Sequence, residues 1–213
     1  MFRRKHGFLL LVVIAGSLNP LPARAEQPLL NLGEAVVDKA VGMLNLHPSM
    51  LFETEGEWRR DVYGGFIEEL RSDETLYFVA YSVERMVRDD FASVVEFVGY
   101  SVDQHQPGAR DSLGGGLNLL GRWYFDQEGD VTWFGEGGVG ASMFNYRTPG
   151  PLGTHFNFNA MGGAGLRWKV SEQTDLIAAG RYYHLSNANK DGSVFRNPSI
   201  DGFGAYAGLS IRF

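Results

Sequence analysis

Near the C-terminus, the stretch RYYHLSNANK (residues 181–190) contains a histidine and a serine two positions apart. If this stretch is a β-strand, His184 and Ser186 point to the same side, because side chains alternate between the two faces of a strand. An imidazole and a hydroxyl that share a face can act as general base and nucleophile. The same residues are also typical of a polar strand end that runs into a loop, so the pair alone does not decide between catalysis and a turn.

The elements that would position this pair are predicted by alternation of apolar and polar residues with period two. The pattern is clearest in residues 154–169, where Phe156 and Trp168 fall on one face and Asn157 and Arg167 on the other. Runs of this kind occur at residues 55–70, 74–87, 91–103, 112–125, 131–146, 154–170, 174–187 and 199–213. Their lengths suit tilted strands that cross a bilayer. The second and third runs alternate poorly, and we assign no faces to them.

Eight runs are an even number, as expected for a closed outer-membrane barrel. The connections after the second, fourth and sixth runs are short and polar, whereas those after the third, fifth and seventh are mostly longer. Short periplasmic turns and long external loops are typical of outer-membrane proteins. We therefore predict an all-β fold: an eight-stranded antiparallel transmembrane β-barrel formed by residues 54–213.

The N-terminal part of the chain has the three features of a secretory signal peptide. Basic residues at 3–5 precede a short apolar run at 8–15, and residues 23–25 (ARA) supply a small-x-small cleavage pattern. We predict a signal peptide at residues 1–25. Residues 26–53 do not fit the strand pattern and are predicted to form a periplasmic or interfacial segment, either a short helix or a poorly ordered leader.

The charge and composition exclude several classes of function. Cleavage after residue 25 would remove four basic and no acidic residues, leaving 15 basic and 25 acidic residues and a net charge of −10. So acidic a chain is a poor candidate for binding nucleic acid. The chain contains no cysteine, which excludes disulfides and thiolate metal sites. The histidines show no metal-ligand spacing, and we predict neither a metal nor a cofactor.

A glycine-rich motif in the fifth run resembles a dinucleotide-binding fingerprint. Gly135, Gly137 and Gly140 in GEGGVG match G-x-G-x-x-G. That fingerprint needs a helix N-terminus directly after it to hold a pyrophosphate, but here the strand alternation continues. We therefore reject a nucleotide cofactor and expect these glycines to thin the barrel wall where bulky neighbours crowd it.

The faces of the last two predicted strands bring a third polar residue to the histidine and serine. In the seventh strand, Asp175 and Arg181 occupy the face opposite to His184 and Ser186. Charges in a small barrel can pair inside it, whereas unpaired charges that face hydrocarbon are costly. The pair is therefore predicted to point outward, toward lipid. Asp201 begins the apolar, outward face of the eighth strand and is predicted to lie beside it.

Three polar residues on a lipid-facing wall suggest a Ser–His–Asp triad. In this interpretation Ser186 attacks a carbonyl, His184 accepts its proton, and Asp201 holds the imidazole in the required tautomer. The oxyanion would be bound by Asn187 or by nearby backbone N–H groups. The alternative is a polar collar at the membrane interface, in which these side chains meet lipid headgroups without chemistry.

Three stretches resemble the lipid A 3-O-deacylase (PagL-type) family: HLSNA at 184–188, NPSID at 197–201, and FGEGGVGASMF at 134–144. The resemblance implies an eight-stranded outer-membrane barrel with an outward-facing His–Ser–Glu triad. It also implies hydrolysis of the ester-linked acyl chain at position 3 of lipid A. Carried over, the base is His184, the nucleophile is Ser186, and Asn187 helps to bind the oxyanion. The chain departs from the family at the acid, because Asp201 stands where members have glutamate.

The expected function is therefore that of an outer-membrane esterase whose active site faces the outer leaflet and whose substrate is lipid A within lipopolysaccharide. A non-catalytic small barrel and a lipid A acyltransferase remain as alternatives. Basic residues in the predicted external loops would contact the lipid A phosphates, or are ordinary solvated charges. They are Arg110, Arg147, Lys190 and Arg196. A homodimer is compatible with the sequence.

Overall fold

The computed structural model describes residues 56–125, 129–187 and 198–213. These residues form eight strands: β1 (Trp58–Glu69), β2 (Thr75–Arg88), β3 (Phe91–Asp103), β4 (Ser112–Phe125), β5 (Val131–Thr148), β6 (Thr154–Lys169), β7 (Thr174–Ser186) and β8 (Ser199–Arg212). Each predicted run coincides with one strand to within three residues. Among these residues, no helix is long and apolar enough to cross a membrane.

The strands pair antiparallel in chain order, and β1 pairs with β8 to close the barrel. The predicted all-β, eight-stranded antiparallel barrel is therefore confirmed. The predicted signal peptide at 1–25, the whole segment at 26–53 with its alternative helix, and residues 54 and 55 lie outside the described residues. The division of the chain at residues 25 and 53 thus stays a prediction.

The period-two pattern corresponds to the inside and the outside of the barrel. In β6, Asn157 and Arg167 are buried in the interior, whereas Phe156 and Trp168 lie on the outer surface. The interior of an eight-stranded barrel is just wide enough for side chains to fill, which leaves little room for water to hydrate polar residues. Polar residues inside must therefore find protein partners.

The faces of β2 and β3 could not be predicted because both of their faces are apolar. The inner face of β2 carries Leu76, Phe78 and Ala80, all buried, while Tyr77 between them is exposed on the outside. Ser82 and Glu84 continue the inner face toward the other end of the strand. Where the interior core is apolar, alternation of polarity disappears although the alternation of side-chain direction remains.

A cluster of paired charges occupies the interior of the barrel. Its members are Asp61, Glu84, Glu96, Arg122, Glu136, Arg167 and Arg181. Arg122 donates to Asp61 at 2.9 Å and to Glu136 at 3.2 Å, and it also contacts Glu84. Arg181 donates to Glu96 at 3.0 Å. The expectation that the charges of the seventh strand face inward and pair is met by Arg181 and by Asp175, which pairs with Arg59.

The two ends of the barrel differ in their connections. Trp58 and Arg212 lie at one end, together with the β2–β3, β4–β5 and β6–β7 turns. The opposite end, called the loop end below, carries the other four connections. There Gln104 accepts from the Gly150 amide at 2.5 Å and donates to the Arg147 carbonyl at 3.1 Å, joining two connections. Gln106 donates to Glu74 at 2.8 Å, and burial raises the pKa of that carboxyl, which lies just before β2.

Candidate active site

The pairing register of β7 and β8 brings the predicted site residues together at the loop end. His184 lies directly opposite Asp201, and Ser186 lies opposite Ser199. Directly opposed residues in an antiparallel pair have Cβ atoms about 5 Å apart, within reach of a hydrogen bond between short side chains. Tyr183 and Leu185 are buried in the interior, so His184 between them lies on the outer surface.

The three side chains form a continuous hydrogen-bonded chain. His184 Nδ1 lies 2.6 Å from Asp201 Oδ1, and His184 Nε2 lies 3.0 Å from Ser186 Oγ. With its Nδ1 proton donated to the carboxylate, the neutral imidazole presents Nε2 as an acceptor for the serine hydroxyl. A nucleophile bonded to a base that is oriented by an acid is the arrangement required for acyl transfer. Ser186, His184 and Asp201 are called the candidate triad below.

The members of the candidate triad differ in exposure. The side chain of His184 is 36% exposed and that of Asp201 is 14% exposed. Ser186 is buried although it lies on the outward face. The carboxylate is thus better shielded from solvent than the imidazole, and the histidine is the most accessible of the three groups.

Two hydroxyl groups that sequence reasoning did not single out also contact the carboxylate. Tyr182 donates to Asp201 Oδ1 at 2.8 Å, and Ser199 donates to Asp201 Oδ2 at 2.6 Å. Both residues lie two positions from a triad member, on the same strand face. That spacing was visible in the sequence, but the hydrogen bonds depend on strand register and on side-chain rotamers.

The other predicted site residues lie around this arrangement. Asn187 directly follows Ser186 and is buried. The Arg110 guanidinium stacks over the Tyr146 ring at 5.3 Å, and Arg147 donates to the Gly153 carbonyl at 3.4 Å. These contacts are with β5 and the β5–β6 connection and not with the triad. Lys190 and Arg196 lie outside the described residues.

Neither the glycine motif nor the described acidic residues form a cofactor or metal site. GEGGVG lies in the middle of β5 and not before a helix N-terminus, so it cannot cradle a pyrophosphate. An added Cβ would overlap Asn118 at Gly140, but would meet no atom closer than 3.5 Å at Gly135 or 3.8 Å at Gly137. Crowding therefore explains Gly140 alone among the three. In the described part of the chain, no three His, Asp or Glu side chains are grouped to hold a metal ion.

Comparison with known proteins assigns the chain to a family. No curated protein shows a significant match. The barrel is similar to the crystal structure of neisserial surface protein A, with TM-score 0.53 and 12% identity, over 75% of this chain and 98% of that one. It is also similar to the outer membrane enzyme PagL, with TM-score 0.56 and 18% identity, over 71% of this chain and 98% of that one. These likenesses show the fold of an outer-membrane β-barrel.

The family model described as lipid A 3-O-deacylase (PagL) matches residues 76–210, more than half of the chain, and the protein therefore belongs to that family.

Proposed function

We propose that the protein is an outer-membrane esterase that hydrolyses the 3-O-linked acyl chain of lipid A. Membership of the deacylase family supports the substrate class. The observation that carries the proposal is the position of His184 between its two partners, 3.0 Å from Ser186 Oγ and 2.6 Å from Asp201 Oδ1. A polar collar that only met headgroups would not need this ordered chain of nucleophile, base and acid.

The first half of the reaction transfers the acyl group to the enzyme. Ser186 Oγ attacks the ester carbonyl while its proton moves to His184 Nε2. The tetrahedral intermediate collapses when His184 returns this proton to the departing sugar oxygen. Asp201 stabilises the imidazolium that forms between these two steps. The products of this half are lipid A with a free hydroxyl group at position 3 and an acyl ester of Ser186.

The second half restores the enzyme. His184 removes a proton from a water molecule, which attacks the ester of Ser186, and the released serine oxygen recovers the proton. A free 3-hydroxy fatty acid leaves. Asn187 is proposed to stabilise the oxyanion in both halves, because it is adjacent to the nucleophile and buried.

The proposed orientation places the candidate triad at the outer leaflet. The first and last residues of the barrel and the three short turns would face the periplasm, and the loop end would face outside. The triad lies on the outer wall at the loop end, beside the exposed rings of Phe158 and Phe203. An acyl chain of a lipid in the outer leaflet can pack against such rings while its ester reaches the serine.

The experiment is to measure the mass of lipid A in outer membranes that contain the wild-type protein or Ser186→Ala. We expect the wild type to remove one 3-hydroxyacyl chain and Ser186→Ala to leave the lipid intact. Ser101→Ala, on the outward face of β3, serves as the matched control and should behave as the wild type. Equal removal by Ser186→Ala would exclude this nucleophile. Unchanged lipid A with the wild type would favour a non-catalytic barrel, and added mass would favour an acyltransferase.

A further inference from the structure

The Asp201 carboxylate accepts hydrogen bonds from three different side chains. Oδ1 accepts from His184 Nδ1 at 2.6 Å and from the Tyr182 hydroxyl at 2.8 Å. Oδ2 accepts from the Ser199 hydroxyl at 2.6 Å. Only the bond from His184 belongs to the proposed catalytic chain, so the two hydroxyl donors need an explanation.

We propose that Tyr182 and Ser199 are positioning residues of this esterase, which hold the Asp201 carboxylate in the orientation that His184 requires. The inference rests on the proposed function. It assigns a role to two residues that do not touch the reacting atoms but act through the acid.

The two hydroxyl donors restrict the rotation of the Asp201 carboxylate. The last torsion of an aspartate joins sp³ and sp² carbons and has no sharp energy minimum, so an unrestrained carboxylate turns easily. Ser199 and Tyr182 hold one oxygen each. Together they define the plane of the carboxylate, which leaves Oδ1 directed at the imidazole.

The two donors come from the same two strands as the acid and the base. Ser199 and Asp201 share the outward face of β8, and Tyr182 and His184 share that of β7. Since His184 and Asp201 are directly opposed, the residue two positions away on each strand reaches the carboxylate from a different side. The same register that forms the candidate triad therefore also supplies its support.

The hydroxyl of Tyr182 and its ring make separate contacts. The ring packs against Phe203 with 5.1 Å between centroids, so the side chain is held in place without its hydroxyl. A hydrogen bond to a charged acceptor is about twice as strong as one between neutral groups. Removal of the hydroxyl alone should thus loosen Asp201 and leave the wall of the barrel unchanged.

The first test compares Tyr182→Phe and Ser199→Ala with matched controls in purified, folded protein that acts on lipid A in detergent micelles. The controls are Tyr77→Phe, an exposed tyrosine on the outside of β2, and Ser101→Ala. We expect kcat to fall about tenfold in each test variant, with KM changed by less than about twofold. The controls should keep wild-type constants. A raised KM with kcat retained would indicate contact with the substrate and overturn the assignment.

The second test introduces each substitution into Asp201→Ala and measures the residual rate of Ser186 labelling by a small organophosphonate, which needs no lipid recognition. If the two hydroxyls act through the carboxylate, neither substitution slows labelling further in this background. A second loss of about tenfold would overturn the proposal.

If the wild type removes no acyl chain at all, the proposed function fails, and the positioning roles fail with it. If the wild type is active and both hydroxyl variants keep its kcat, only the positioning roles fail.

Discussion

The acid of the candidate triad is an aspartate, although the family resemblance implies a glutamate. The side chain of aspartate is one methylene shorter than that of glutamate, so the backbone of its histidine partner must lie closer. The register supplies this, because His184 and Asp201 are directly opposed on paired strands. The resulting distance of 2.6 Å leaves no gap for a longer side chain to fill.

Substitution of Asp201 by asparagine should separate charge from shape. The amide keeps the size of the side chain but carries no charge and can donate a hydrogen bond to Nδ1. The imidazole would then hold its proton on Nε2, where it cannot accept from Ser186. In a serine protease, the same change lowers kcat about 10⁴-fold. We expect a loss of at least about 10³-fold in kcat for Asp201→Asn, measured on lipid A with the folded protein.

The matched variant is Asp201→Glu, which keeps the charge and adds a carbon atom. Its carboxylate must fold back, because an added C–C bond of about 1.5 Å exceeds the space available. We expect about a tenth of the wild-type kcat. If Asp201→Asn retained as much activity as Asp201→Glu, the negative charge would have no part in the reaction.

The sequence allowed some of these residues to be predicted and not others. His184, Ser186 and Asp201 could be placed on one outward face because strand alternation and the cost of unpaired charge are readable locally. The contacts of Tyr182 and Ser199 with the carboxylate were not predictable. They depend on how β7 aligns with β8 across a connection and on which rotamer each side chain adopts.

At the scale of the strands, alternation predicted the faces of β6, β7 and β8 but not those of β2 and β3. The difference lies in the interior. Where the inner face carries Arg167 or Arg122, polarity distinguishes it from the outer face. Where the inner face carries Leu76 and Phe78, both faces of the strand are apolar, so polarity does not distinguish them. Bounds of all eight strands were nevertheless predictable because the connections contain turn residues.

The glycines of β5 show a similar division between the two faces. Gly140 faces the interior, where a Cβ would overlap Asn118 Oδ1 and the Leu117 carbonyl oxygen. Asn118 cannot turn away freely, since it donates to Glu96 at 2.6 Å and accepts from Asn159 at 3.0 Å. Gly137 faces outward and has room for a methyl group.

We therefore predict that Gly140→Ala destabilises the barrel and that Gly137→Ala does not. Overpacking against a backbone carbonyl and a held side chain should cost about 1–3 kcal/mol. The measurement is the urea concentration at which half of the protein is unfolded in detergent. The folded and unfolded forms are distinguished by their different mobilities on a gel. Equal midpoints for the two variants would show that the β4–β5 wall relaxes around the added methyl group.

At the scale of the whole molecule, the barrel separates two kinds of polar group. The charged cluster lies inside, where each member has at least one oppositely charged partner, whereas the candidate triad lies outside at the loop end. Residues of β7 contribute to both, since Arg181 points inward and His184 outward. A closed sheet holds both faces of this strand rigidly, which suits a site that must keep its geometry within a fraction of an ångström.

This separation predicts that interior charge determines stability without determining the chemistry. Arg122 is fully buried and contacts Asp61, Glu84 and Glu136, so Arg122→Met would leave these three carboxylates with only Arg167 and Arg181 as cationic partners. Removing one partner of a buried ion pair costs about 3–5 kcal/mol. We expect a much lower urea midpoint, but an unchanged KM for lipid A in the fraction that remains folded.

The control for this prediction is Arg88→Met, because Arg88 pairs with Asp90 at 3.4 Å at the exposed β2–β3 turn. An exposed pair contributes little to folding, so this variant should unfold at nearly the wild-type urea concentration. Two results would contradict the prediction. Equal midpoints for Arg122→Met and Arg88→Met would mean that water or protonation compensates the interior carboxylates. A changed KM in folded Arg122→Met would mean that the interior cluster and the outer wall are coupled through β7.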